Sequence, residues 1–121
     1  MPLKILTIED DPSITSFLNI LLTIYEMQVM VANDGATGIE MARTASPDIV
    51  LLDLMMPIID GWRVCREIRS FSQVPIIVVS AVSNKERIAD ALAAEANAYI
   101  EKPISIEDLV TKIKLFASDK V

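Results

Sequence analysis

"IVLLD", Ile49 to Asp53, is the segment on which the fold turns: four apolar residues run without a break and end on a carboxylate. "IIVVS", Ile76 to Ser80, repeats the pattern with a hydroxyl at its end. A strand with one face in water alternates apolar and polar residues, whereas a strand covered by helices on both faces is apolar throughout. These two segments therefore form the middle of a parallel sheet. Further strands are predicted at Lys4 to Ile8, Gln28 to Ala32 and Ala98 to Glu101, each separated from the next by a stretch of helical period.

The helices have legible ends. Asp11 caps a helix opened by Pro12, and Asp60 caps one carrying Val64, Cys65 and Ile68 on one side. Ser105 and Asp108 form a capping box ahead of Leu109, Val110, Ile113 and Phe116. A helix over Asp34 to Ala45 is the weakest in pattern, because Gly38 sits inside it. Arg63, Arg66 and Arg69 read as a solvated face. Strict alternation of strand and helix implies an α/β fold, a doubly wound parallel sheet with helices on both faces and right-handed crossovers.

The chain of 121 residues is the size of one domain, expected to span 1–121 without an internal boundary. Hydrophobic residues make up 52% of it, but the longest runs are broken, "FLNILLTIY" by Asn19 and Thr23 and "IVLLDLMMPII" by Asp53, so neither a membrane span nor a signal peptide fits. A single cysteine, Cys65, excludes an intramolecular disulfide, reads as a small core residue and suits a reducing cytoplasm. The net charge of -6 argues against direct nucleic-acid binding by this chain. There is no histidine, which removes the usual general base and the commonest zinc ligand. Chemistry must run on carboxylates, hydroxyls and lysine.

In a doubly wound sheet, ligands bind at the carboxyl ends of the strands, near the point where strand order reverses. Glu9 and Asp10 close the first strand, Asp53 the third and Ser80 the fourth, while Lys102 follows the fifth, so all five residues are expected on one rim. Carboxylates crowded there repel one another unless a cation neutralises them. Hard oxygen ligands with room for water suit Mg2+. Asp11, at a helix start, reads as a cap and not a ligand. A carboxylate beside such a metal can attack phosphorus, with Asp53 as nucleophile, Lys102 as fixed cation and Ser80 as the hydroxyl that binds a phosphoryl oxygen.

"ILTIEDD", "DIVLLDLMMPIIDG", "PIIVVSA" and "AYIEKP", in this order and spacing, resemble the receiver domain of two-component response regulators over nearly the whole chain. The resemblance implies a flavodoxin-like five-stranded sheet of order 2-1-3-4-5. It implies that Asp53 accepts phosphate from the phosphohistidine of a sensor histidine kinase or a histidine phosphotransfer protein. Asp10, Asp53 and the backbone carbonyl of Met55 would bind magnesium, with Glu9 assisting through water. Ser80 and Tyr99 match the switch pair, and Lys102-Pro103 matches a peptide that is cis in the family. On phosphorylation the surface of the fourth helix, fifth strand and fifth helix would change and serve a partner or a dimer. The protein would be no enzyme beyond its own phosphorylation and dephosphorylation.

Departures from the family pattern are specific. Glu95 stands where a glycine is common; if positive φ is needed there, the strain is roughly 1 kcal/mol. Asn97 and Ala98 stand where DNA-binding dimers often carry two acids. An aspartyl phosphatase is disfavoured, because the position of its second acid holds Met55. A nucleotide-binding domain is disfavoured by the acidic turn "EDDP" where a glycine-rich loop would be needed. The remaining alternative is a phosphorylation-independent, receiver-like interaction module. "FASDKV" ends the chain soon after the last helix, as expected of a stand-alone regulator or of the front of a longer one.

Two further expectations concern side-chain placement. The first helix has a wide apolar face: Ile14, Phe17, Leu18, Leu21 and Tyr25 are joined by Ile20, Leu22 and Ile24, so one stripe is core and the excess is either buried as well or a docking surface for the phosphodonor. Met55 and Val82 flank the path of water to Asp53, and neither can orient it, which predicts a long-lived phosphorylated form.

Overall fold

The computed structural model describes residues 2–82 and 84–117. Five strands, β1 (Lys4–Ile8), β2 (Gln28–Ala32), β3 (Ile49–Leu52), β4 (Ile76–Ser80) and β5 (Ala98–Glu101), alternate with five helices. The helices are α1 (Pro12–Ile24), α2 (Gly35–Thr44), α3 (Gly61–Arg69), α4 (Lys85–Ala93) and α5 (Ile106–Ala117). The strands form one sheet of order β2-β1-β3-β4-β5, and every neighbouring pair is parallel. Strand order therefore reverses beside β1.

The unbroken apolar runs have the expected cause. Along β3, Val50 and Leu52 enter the core shared with Val64, Cys65 and Ile68 of α3, while Ile49 and Leu51 enter the opposite core with Leu18 and Leu22 of α1 and Leu109 and Ile113 of α5. Ile76 and Val78 divide from Ile77 and Val79 in the same way. Both faces are buried, so neither tolerates polar alternation. β3 stops at Leu52, one residue short of the expected Asp53. The Asp53 N–H still reaches Ile8 O at 3.0 Å, but beyond it the chain turns away from the sheet.

Helix starts follow the sequence. Asp11, Asp34 and Asp60 accept backbone N–H groups of Ser13, Thr37 and Arg63 at 2.9, 2.7 and 3.0 Å. Ser105 accepts the Asp108 N–H at 3.3 Å, but the Asp108 carboxylate binds Lys112 at 2.5 Å, so only half of the expected capping box is seen. Gly38, the weak point of α2, allows close helix–strand packing: a Cβ there would lie 2.6 Å from the Ile8 side chain. Cys65 is buried, and its thiol meets Ala94 O.

Three placements differ from expectation or sharpen it. On α1, Leu22 is fully buried and belongs to the core, whereas Phe17 and Tyr25 are exposed with Ile20 and Ile24. The inward stripe is rotated from the one predicted, to Thr15, Leu18 and Leu22. Arg69 is not part of a solvated face. Its guanidinium donates to Glu95 O at 2.9 Å, Val74 O at 2.6 Å and Asn97 Oδ1 at 2.8 Å, tying α3 to the turn before β5. Glu95 does adopt φ 71°. Among the described residues no helix is long and apolar enough to cross a membrane. Residues 118–121, the end of "FASDKV", lie outside the described residues.

Candidate functional site

The carboxyl ends of β1, β3, β4 and β5 bring Glu9, Asp10, Asp53, Ser80 and Lys102 to one rim. Parallel pairing enforces this: Ile8 is in register with Leu52, and Ser80 with Glu101, so residues that follow these positions emerge together. Glu9, Asp53 and Ser80 are buried and Asp10 is exposed. Glu9, Asp10 and Asp53 each offer a carboxylate oxygen within 4.8 Å of the others. Lys102 Nζ donates to Glu9 Oε1 at 2.6 Å and lies 3.8 Å from Asp53 Oδ2.

Burial pushes the Glu9 carboxyl up to about 7; the hydrogen bond from Lys102 opposes the rise, and neighbouring Asp53 adds to it. Lys102 alone does not keep the buried Glu9 carboxyl in the ordinary carboxylate range. A donor set made only of hard oxygens, crowded and short of positive charge, fits a small divalent cation of the magnesium type. Asp11 is no part of this set. The Ser13 hydroxyl and N–H hold its carboxyl below the usual range, as befits a helix cap.

One oxygen of Asp53, Oδ1, accepts the Met55 N–H at 3.3 Å, and the other faces Lys102. Met55 itself is 57% exposed. The loop between β3 and α3 closes tightly on Asp53: Gly61 N–H donates to Leu54 O at 2.9 Å, and a Cβ on Gly61 would come within 2.3 Å of Asp53 O. Only glycine permits that approach. Ser80 Oγ accepts the Val82 N–H at 3.5 Å. Tyr99 is half-buried and donates its hydroxyl to Val82 O; burial raises its phenol, with Ser80 opposing. The Lys102-Pro103 peptide is cis.

All the predicted site residues lie at or beside this rim. Three relationships went unforeseen: Lys102 pairs more closely with Glu9 than with Asp53, the Val82 carbonyl receives Tyr99, and Gly61 packs on the Asp53 backbone. The glycine after Asp60 was a signal for the third. Nothing local signals the other two.

Comparison with known proteins agrees with this geometry. Residues 5–114 match the family model described as the response regulator receiver domain. The chain is 40% identical over 111 residues to the probable transcriptional regulator ycf27 of Porphyridium aerugineum, covering 92% of this chain and 46% of that protein. It is 37% identical over 111 residues to the response regulator ArlR of Staphylococcus saprophyticus, covering 92% and 50%. The chain therefore spans about half the length of the curated relatives it matches. Among solved structures, the beryllofluoride-activated N-terminal receiver domain of RstA from Klebsiella pneumoniae superposes with a TM-score of 0.90 at 31% identity, over 94% of this chain and 97% of that one. The receiver domain of a sensor histidine kinase from Pseudomonas aeruginosa, with magnesium coordinated in its active-site cleft, superposes with a TM-score of 0.90 at 26% identity, over 98% and 99%. Fold, rim and sequence agree, and the chain belongs to the response regulator receiver domain family of two-component signalling.

Proposed function

We propose that this chain is a phosphoacceptor switch in which Asp53 takes a phosphoryl group from the phosphohistidine of a sensor histidine kinase or histidine phosphotransfer protein. An Asp53 carboxylate oxygen attacks phosphorus. A P–O bond forms, the P–N bond to the donor imidazole breaks, and the imidazole leaves with the electron pair. The phosphohistidine lies outside these 121 residues, which contain no histidine. The observation that carries the reading is the cluster of Glu9, Asp10 and Asp53 oxygens within 4.8 Å, with Lys102 Nζ 3.8 Å from Asp53.

Asp10, Asp53 and the Met55 carbonyl would hold magnesium, with Glu9 assisting through water. Bound there, the ion supplies positive charge to the carboxylates and to the phosphoryl oxygens. Lys102 is the second fixed cation for those oxygens, and buried Ser80 supplies a hydroxyl to one of them. When Ser80 moves to the phosphoryl group, Tyr99 fills the space behind it, and the surface of α4, β5 and α5 changes for a partner or a second copy. The chain acts on no other substrate, works in the cytoplasm and makes no direct nucleic-acid contact of its own.

The test uses a small-molecule donor. Purified protein incubated with phosphoramidate and magnesium gains the mass of one phosphoryl group, and Asp53→Asn does not. An equal gain in both proteins refutes the assignment.

A further inference from the structure

Helix α4 is thinly docked. Of its residues Lys85–Ala93, Ala91 is buried, whereas α3 buries Gly61, Val64, Cys65 and Ile68. With so little apolar surface removed from water, polar contacts at its ends weigh heavily in fixing where it lies. At its carboxyl end, Arg69 holds Glu95 O at 2.9 Å. At its amino end, Tyr99 holds Val82 O in the preceding loop. A third contact comes from α3: Trp62 Nε1 donates to Arg87 O at 3.1 Å, and the Arg87 guanidinium lies 5.3 Å from the centre of the same indole.

The position of Trp62 in the chain gives this contact its meaning. Gly61, the residue before it, is pressed against the backbone of Asp53 and Leu54 with no room for a Cβ. The Gly61 N–H is bound to Leu54 O at 2.9 Å. A displacement of the Asp53–Leu54 backbone is thus delivered to Trp62 through packed atoms, and from its indole to the first turn of α4. A groove of about 450 Å3 beside Trp62, Arg87 and Asp90 leaves room for α4 to respond. This route uses neither Ser80 nor Tyr99.

We propose that Trp62 is a positioning residue that couples the state of the Asp53 site to the placement of α4, through Gly61 on one side and Arg87 on the other. The inference rests on Asp53 being the acceptor. Coupling is reciprocal: a residue through which loading of Asp53 moves α4 must, when altered, change the affinity with which Asp53 is loaded.

The experiment measures affinity for beryllofluoride with magnesium by calorimetry on the purified chain, for the parent, Asp53→Asn, Trp62→Phe, Arg87→Ala and the double variant. Trp62→Phe keeps an aromatic ring for Arg87 and loses the indole donor together with part of the packed ring. Thermal melting with and without beryllofluoride is recorded in parallel. A merely structural role lowers both melting temperatures equally and leaves affinity unchanged. The expected result is a change in affinity of about fivefold in the same direction for both single variants, with the double variant no further displaced than the larger single. Parent-like affinity in Trp62→Phe and Arg87→Ala overturns the inference while leaving the acceptor reading intact. Absence of Asp53-dependent binding in the parent overturns both.

Discussion

Lys102 reaches across the sheet to Glu9, not to the residue it would serve in phosphoryl transfer: Nζ is 2.6 Å from Glu9 Oε1 and 3.8 Å from Asp53 Oδ2. In the proposed transfer the ammonium would have two roles in sequence, stabilising a buried carboxylate and then a phosphoryl oxygen. Replacing it separates them. Lys102→Ala is expected to retain magnesium binding, since a competing cation is gone, while phosphorylation by phosphoramidate slows by about a hundredfold. Magnesium titration and phosphorylation kinetics on the same preparation check both halves.

Glu9 gives the metal-free protein an unusual pH dependence. Its folded-state carboxyl titrates at about 7 against an ordinary value of 4.5, so the folded chain binds a proton that the unfolded chain releases. This contribution to stability is complete below about pH 4.5 and is lost as pH rises to about 7. Denaturant unfolding in chelator across that window should show parent stability falling relative to Glu9→Gln. Parallel profiles would argue against it.

The α4–β5 turn carries relievable strain. Glu95 has φ 71°, and Arg69 binds its carbonyl, a contact that any residue at the position retains. Glu95→Gly is expected to stabilise the fold by about 1 kcal/mol, because glycine adopts positive φ without the Cβ penalty. Equilibrium unfolding in urea measures it, and a destabilised variant would mean that the left-handed backbone costs nothing here.

The rotation of α1 makes a paired prediction. Leu22 is fully buried and Ile20 is 67% exposed, although both lie on the wide apolar face read from the sequence. Leu22→Ala should cost about 3 kcal/mol, and Ile20→Ser should stay within about 0.5 kcal/mol of the parent. A Leu22→Ala variant as stable as Ile20→Ser would argue against the inward stripe of Thr15, Leu18 and Leu22.

Met55 and Val82 are expected from the sequence beside the path of water to a phosphoryl group on Asp53, and the exposed Met55 side chain has no group that would orient it. Val82 is half-buried against the core. A Met55→Asn, Val82→Glu double variant should dephosphorylate about tenfold faster than the parent, equivalent to about 1.4 kcal/mol in the barrier. Decay of the radiolabelled protein with magnesium and without a partner reads this directly, and equal rates would remove the case for a long-lived phosphorylated form.

The features legible in the sequence are those the chain carries locally. "IVLLD" and "IIVVS" announce strands buried on both faces, Asp11 and Asp60 announce helix starts, and the carboxyl-end rule puts Glu9, Asp10, Asp53, Ser80 and Lys102 on one rim. Periodicity and capping arise from backbone geometry within a few residues, so no tertiary information is needed to see them. Tertiary structure decided the rest. Lys102 and Glu9 are 93 residues apart, and Trp62 and Arg87 are 25 apart, so their pairing depends on how finished elements lie against one another. The same holds for α1, whose broad apolar face is compatible with more than one inward stripe until the sheet selects Leu22, and for Arg69, which looks solvated by helical period and is recruited by carbonyls of the turns beside it. Local physics specifies which elements form and where they end; the crossing of those elements alone specifies which long side chain meets which distant partner.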